Sequence, residues 1–270
     1  MPNPASLRAS AVSSVRGVVE KLLARHTEQL RDEIRQLREE VLSLQRAETQ
    51  RVIDHLTGIE IRDRRDLYAA NERIAVMESA RFASAHLSRA PGFPDPHETL
   101  RHALSLAPTG GLALEFGVAT GGTLRIIAQA RGGHEVYGFD TFTGLPDSWR
   151  LGFLAGRFGV DGRPDVPGAE LVEGLFADTL PGFLDAHPGP VDFLHVDGDL
   201  YSSAVTVLDL VGPRLQAGSV IQFDEYFNFA GWQEHEFKAW AEYVEAHGIE
   251  FEYAGFTFDH EQVAVRLTRV

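Results

Sequence analysis

Cysteine is absent from the 270 residues, which excludes disulfides and thiolate-held metal. Any metal must then be held by oxygen or imidazole. Positive charge is scarce: 25 Lys plus Arg stand against 39 Asp plus Glu, a formal charge of -14. Such a surface cannot track a phosphate backbone, which needs many cations to neutralise it. Nucleic acid is therefore not an expected partner. No apolar run approaches the ~18 residues of a membrane helix, and the opening M-P-N-P-A-S-L-R-A-S lacks the apolar core of a secretion signal. The expectation is a soluble protein of the cytoplasm with no membrane partner. Hydrophobic content of 44% suffices for a core, and the length suits one large domain or one domain with an extension.

Proline is also missing between about Val15 and Leu56, where charge is dense and Gly17 stands near the start. Leu23, Thr27, Leu30, Ile34, Leu37, Val41 and Leu44 alternate spacings of four and three, the seam of a coiled coil. A stripe of this kind predicts a homo-oligomer joined through the N-terminal helix. A second helical stretch is expected from about Arg62 to Ser88, and the segment R-A-P-G-F-P-D-P that follows breaks it. The domain boundary is placed there, with a helical extension over 1–92 and a second domain over 93–270.

Beyond the break, strand and helix signals alternate. Leu112, Leu114 and Phe116 make a buried parallel strand that runs into G-V-A-T-G-G-T, where Gly117, Gly121 and Gly122 let backbone approach a ligand and Thr123 can cap the next helix. The spacing G-x-x-x-G departs from the dinucleotide fingerprint G-x-G-x-x-G. A carboxylate, Glu115, beside a bare turn suits a ligand with a cationic amine and a ribose, as in S-adenosylmethionine. His134 to Asp140 forms the second strand and ends on an acid where nucleotide folds meet ribose hydroxyls. Further strands are read at Glu170 to Glu173, Val191 to Asp197 and Ser219 to Phe223, followed by a hairpin from Phe251 to Leu267. The fold class is α/β, a doubly wound, seven-stranded, mostly parallel sheet. Between Asp140 and Gly168 lies a long glycine-rich connection of the kind that is functional or disordered.

The fourth strand ends at Asp197-Gly198-Asp199 and the fifth at Asp224-Glu225. Adjacent strands carry these acids to one crevice, where like charges need a cation. Asp197, Asp224 and Glu225 are read as ligands of a hard divalent ion, Mg2+ before Ca2+ or Mn2+, while Asp199 is read as a solvent-facing cap. His195 shares the strand face of Asp197. It is read first as a packed core histidine and second as a base. Asp197 is the expected proton acceptor, with His195 and His235 behind it. Trp149, Arg150, Tyr226, Asn228, Trp232 and His235 sit on loops at the same sheet edge and are read as walls of an acceptor pocket or as core under a loop.

These residues lie in L-E-F-G-V-A-T-G-G-T, F-D-T-F-T-G-L-P, F-A-D-T-L-P, V-D-G-D-L-Y-S-S and F-D-E-Y. By these motifs the span from Leu114 to about Arg269 resembles the class I S-adenosylmethionine-dependent methyltransferases. Within them it resembles the macrocin O-methyltransferase family, which methylates sugar hydroxyls of natural products. The resemblance implies that Asp197, Asp224 and Glu225 hold the metal, that Glu115 and Gly117 line the methionine end, and that Asp140 meets the ribose. Phe176 and Ala177 would border adenine, and Thr120, Gly121, Thr123, Thr141 and Phe142 are counted with the nucleoside site. Two features depart from the family: Glu225 stands where Asp is common, and F-N-F-A-G-W-Q-E-H-E follows, which leaves the acceptor open. The expected activity is metal-assisted O-methylation of a small hydroxylated acceptor. The alternatives are an NAD(P)-dependent sugar-nucleotide oxidoreductase and a non-catalytic coiled-coil scaffold that senses a ligand.

Overall fold

The computed structural model describes the backbone from Pro4 to Val270 and side chains from Arg16 onward, so the first three residues of the opening segment lie outside the described residues. One helix, α1 (Pro4–Arg65), takes up the charged region. Its Leu, Glu, Arg and Gln content favours helix, and Gly58 in its interior costs only about 1 kcal/mol. The helix therefore runs through the gap expected between Leu56 and Arg62, and it ends on Arg62, Arg64 and Arg65, whose charges suit a helix C-terminus. The apolar seam positions from Leu23 to Leu44 are exposed on α1.

The chain divides into two compact units between Leu67 and Tyr68, ahead of the boundary expected at 92 and 93. The reason lies in α2 (Leu67–His86), which buries Ala75 and Ser79. Its Phe82 meets Trp232 and Phe237 edge-on, with ring centroids 5.5 and 5.6 Å apart. The Ser79 hydroxyl accepts the Asn228 N–H at 2.9 Å. Proline at 91, 94 and 96 marks a turn within the second unit.

That unit is built on one sheet. Its strands are β1 (Gly92–Phe93), β2 (Leu112–Phe116), β3 (Val136–Asp140), β4 (Glu170–Glu173), β5 (Val191–Val196), β6 (Leu215–Phe223), β7 (Glu250–Thr257) and β8 (Val263–Arg269). They lie in the order β1-β7-β8-β6-β5-β2-β3-β4, with β8 antiparallel to both neighbours and the remaining pairs parallel. The seven expected strands are present, and β1 adds a two-residue edge. β2 and β5 are buried along their whole length, as strands covered by helices on both faces must be. The covering helices are α3 (Pro96–Leu106), α4 (Gly122–Arg131), α5 (Phe176–Ala186), α6 (Tyr201–Val211) and α7 (Glu236–His247). From β2 the chain winds outward through β3 and β4, then crosses back to β5 on the other side of β2. This reversal opens a crevice beyond the carboxyl ends of β2 and β5, the usual ligand position in such sheets.

The long connection from 141 to 169 is folded. Leu145 pairs with Gly156 and Arg157 across a turn, with Gly156 N–H donating to the Leu145 carbonyl at 2.8 Å and Leu145 N–H donating to the Arg157 carbonyl at 2.9 Å. Phe142, Leu145 and Val166 are buried and anchor it.

Candidate active site

The turn after β2 is shaped by what lies against it. Gly117 has φ of 100°, and a Cβ there would sit 1.7 Å from the Asp197 carbonyl oxygen, so the ends of β2 and β5 meet where only glycine fits. Ala119, also left-handed with φ of 44°, is held by Asp140. Asp140 Oδ2 accepts the N–H groups of Val118 and Ala119, each at 2.8 Å, and Oδ1 accepts Phe142 N–H at 2.6 Å. One carboxylate thus ties the end of β3 to the glycine turn. Gly121 begins α4 with φ of 75° and no side-chain cap, so Thr123 does not cap the helix. A Cβ on Gly121 would press on Val166 Cγ2 at 2.6 Å, so this glycine serves packing with the long connection.

A cavity of about 330 Å³ opens above these turns. Gly117, Ala119, Asp140, Thr141, Leu145 and Phe158 line one side, and Phe176, Ala177, Asp197, Asp199 and Ser203 line the other. Its position at the switch between β2 and β5 is that of a nucleoside site.

At its inner end the acids converge. Ligand atoms of His195, Asp197 and Asp224 all lie within 4.8 Å of one another. His195 is fully buried; its Nδ1 is 2.8 Å from Glu115 Oε1 and its Nε2 is 3.5 Å from Asp224 Oδ1. Burial works to lower the His195 pKa, but Asp224 and Glu115 overcome it and hold the imidazole well above its usual value. Asp197 is raised well above the carboxylate range by burial and by Asp224, and Asp199 is pushed up to about 7 by the same causes. Burial alone would raise Asp224 too, yet His195, Gln262 and Glu225 hold it below its ordinary value. Glu225, raised by burial and by Asp224, lies outside the group of three. Its backbone N–H donates to Glu236 Oε2 at 2.9 Å. Asp199, expected to face solvent, is buried with φ of 59°.

A second cavity, of about 610 Å³, is lined by Tyr68, Asn71 and Glu72 of the α2 region, by Trp149, Arg150, Leu151 and Phe153, and by Ala230, His235 and Glu261. Arg150 stacks 4.0 Å from the Trp149 ring and pairs with Glu261 at 3.0 Å. It is also the cation that pulls the Asp199 pKa down. Trp149 Nε1 and His235 Nδ1 are buried with no hydrogen-bond partner. Burial and Arg150 hold His235 below its usual pKa, so it is neutral at pH 7.

Residues 114–226 match the family profile described as "Methyltransferase domain". The chain carries a methyltransferase domain. S-adenosylmethionine is its methyl donor, and the fold is that of the class I enzymes. Among solved structures, the calicheamicin methyltransferase CalS11 is 28% identical, with 63% of this chain and 76% of that chain covered and a TM-score of 0.50. The O-methyltransferase NovP is 25% identical, with 64% and 79% covered and a TM-score of 0.47. MycE, a methyltransferase of the mycinamycin biosynthetic pathway in complex with Mg and SAH, is 18% identical, with 70% and 54% covered and a TM-score of 0.43. No curated protein matches the chain.

Of the residues expected at the cofactor, the methyltransferase domain places Gly117, Asp140, Thr141, Phe176 and Ala177 on the first cavity. Glu115 is fully buried against His195, and Phe142 is buried in the core. Thr120, Gly121 and Thr123 do not line the cavity. Among the acceptor residues, Trp149 and His235 line the second cavity, whereas Tyr226 and Trp232 are core. The Tyr226 hydroxyl bonds Tyr253 at 3.1 Å, and Asn228 Nδ2 donates to the His260 carbonyl at 3.0 Å. Glu236, Glu261 and Gln262 also touch the site, and no motif in the sequence marks them for it. Gln262 donates to Asp224 Oδ2 at 3.1 Å from the β7–β8 turn, and only the placement of that hairpin beside β6 gives the clue.

Proposed function

We propose that the protein is an S-adenosylmethionine-dependent O-methyltransferase assisted by a divalent cation and acting on a hydroxyl of a small natural product or its sugar. The observation that carries this reading is the acidic cluster at the end of the first cavity: Asp197 and Asp199 line that cavity, and ligand atoms of His195 and Asp224 lie within 4.8 Å of that of Asp197. The likeness to the calicheamicin methyltransferase supports an acceptor from that chemical class.

Gly117, Asp140, Thr141, Phe176 and Ala177 would hold the donor, and His195, Asp197 and Asp224 would hold the cation. The residues fit a cation because ligand atoms of Asp197, Asp224 and His195 converge within 4.8 Å of one another, and His195 Nε2 is buried without a hydrogen-bond partner. Glu225, beside Asp224, completes the negative charge. When bound, the donor supplies an electrophilic methyl group and the cation a Lewis acid that lowers the pKa of a hydroxyl. The rest is positioning and proton transfer by the chain. Trp149 and Arg150 present a stacking surface for a ring, while Trp149 Nε1 offers an unfilled donor to an acceptor oxygen. Asp197, which lines the first cavity at its acidic end, takes the hydroxyl proton. His235, kept neutral, stands across the second cavity as another proton acceptor.

Transfer of labelled methyl from S-adenosylmethionine to a panel of hydroxylated glycosides, sugar nucleotides and polyketides tests the proposal. Label should appear on a hydroxyl, chelation should abolish it, and Asp224→Asn should lower turnover at least a hundredfold with affinity for S-adenosylhomocysteine kept within a fewfold. Full activity after exhaustive chelation refutes the role of the cation; transfer to amines alone refutes O-methylation.

A further inference from the structure

We infer that α1 joins two copies of this chain in a parallel, in-register, two-stranded coiled coil over Leu23 to Leu44, so that both methyltransferase units are tethered to the same end of the helix pair. Strand number, direction and register all follow from residues on α1, independently of the reaction proposed above.

Leu23, Leu30, Leu37 and Leu44 stand every seven residues, and Thr27, Ile34 and Val41 each stand four residues after one of the first three. In heptad terms, leucine fills every d position and a β-branched residue every a position. That division favours two parallel strands, whereas isoleucine at both positions, or leucine at a with isoleucine at d, favours three or four. Thr27 fits the seam because its hydroxyl is already spent on the Leu23 carbonyl, at 2.8 Å. The six apolar members are 44–66% exposed on α1. They form a stripe about 33 Å long that a second helix of the same pattern would cover from end to end.

The flanking charges choose the direction. Along the centre of the stripe the g positions are Glu33 and Glu40 and the e positions are Arg31 and Arg38, all of them exposed. Within its own helix Glu33 accepts only a long bond from Gln29, at 3.4 Å. In a parallel pair each g residue faces the e residue five positions on in the other helix. Glu33 then meets the partner's Arg38, twice by symmetry, while Glu40 meets the partner's Gln45 and His26 the partner's Arg31. An antiparallel pair sets g against g and e against e, which puts glutamate beside glutamate along one flank and arginine beside arginine along the other. Like charges so placed oppose that arrangement. Beyond Leu44 the heptad positions are held by Glu48, Arg51 and His55, which ends the seam. Each chain enters its second unit at Tyr68, just past the end of α1 at Arg65. A parallel pair brings the two Arg65 ends together, so a molecule that engages one methyltransferase unit finds the second at raised effective concentration.

Disulfide trapping tests this on the full chain, which has no cysteine of its own. Leu23→Cys and Leu44→Cys are prepared separately and equilibrated in a glutathione redox buffer. Facing d positions of a parallel, in-register pair lie within disulfide reach, so each variant should cross-link to itself nearly completely. In an antiparallel pair the two copies of either position lie about 25 Å or more apart, and the cross-link should form chiefly between the two variants when they are mixed. Sedimentation equilibrium supplies the second arm. Glu33→Arg with Glu40→Arg should weaken the dimer by about tenfold or more, and adding Arg31→Glu with Arg38→Glu should restore it. Cross-linking chiefly between the two variants, assembly of three or more chains, a dimer unmoved by the charge reversal, or a monomeric wild type each overturns the inference.

Discussion

Replacing Asp140 by alanine should damage the fold before it damages the binding of a ligand. The carboxylate accepts three backbone N–H groups, from Val118, Ala119 and Phe142, at 2.8, 2.8 and 2.6 Å. Hydrogen bonds to a charged acceptor contribute about 1.5–3 kcal/mol each. Two of the donors, Ala119 and Phe142, sit in left-handed backbone with φ of 44° and 59°, conformations that cost roughly 1 kcal/mol or more unless something holds them. Water from the adjoining cleft can reach part of the vacated site, but Val118 is buried. The net loss should be about 3–5 kcal/mol, which lowers the melting temperature by roughly 6–20 °C for a domain of this size. Asp140→Asn should lose about half as much, since its oxygen can still serve Val118 and Ala119 while its amide meets the Phe142 N–H. Urea unfolding without nucleoside measures this part, and calorimetry with S-adenosylhomocysteine measures the rest, where affinity should fall by about 1–3 kcal/mol. An alanine variant that unfolds within about 1 kcal/mol of wild type yet loses the ligand would refute the structural role.

Two further predictions concern pH and assembly. Asp199, whose folded pKa is about 7 against an ordinary 3.8, binds more protons folded than unfolded between those values. Stability of the metal-free protein should therefore fall as pH rises from about 4 to 7, by up to about 1.4 kcal/mol per pH unit for each such group. His195, also raised, acts with the same sign at higher pH. Thermal melts in chelator should show the decline and Asp199→Asn should flatten it; a melting temperature that climbs over this range contradicts the assignment. The exposed stripe on α1 is expected to join copies of the chain into a dimer through Leu30, Ile34, Leu37 and Val41. Light scattering on the intact chain and on Ile34→Glu with Val41→Glu should show a dimer and a monomer; a monomeric wild type, or a dimer in both, shows that α1 is not the joining element.

Most of the sheet was legible because apolar runs such as Val191 to Val196 are bounded by glycine and acid, and their alternation with helix signals leaves few topologies. The carboxyl ends of β2, β3, β5 and β6 were legible as one edge for the same reason. Side-chain partners across strands were not. Glu115 was read toward a ligand amine, whereas the register of β2 on β5 sets it opposite His195, and register is decided by packing on both faces of the sheet. Tyr226 and Trp232 looked like pocket walls because they follow an acidic strand end. The packing of α2, invisible in their local sequence, turns them into core. The place of α2 is hidden for a related reason: it packs on the sheet unit through a few residues, Ala75, Ser79 and Phe82, whose partners lie some 150 positions away, as Asn228 does from Ser79.

The two ends of the sheet deserve comparison with the exposed helix. An open β edge is a template on which another chain can add a strand. At one end the template is the two-residue β1, and at the other it is the four-residue β4, which begins and ends on glutamate. Neither edge offers a long neutral run of unpaired N–H and C=O groups, so extension of the sheet from one molecule into the next is disfavoured at both ends. Copies of this chain that meet at high concentration, during synthesis or storage, should consequently stick through side chains and not through backbone. The resulting aggregates should dissolve in mild detergent and lack the cross-β signature that a longer, apolar edge would invite.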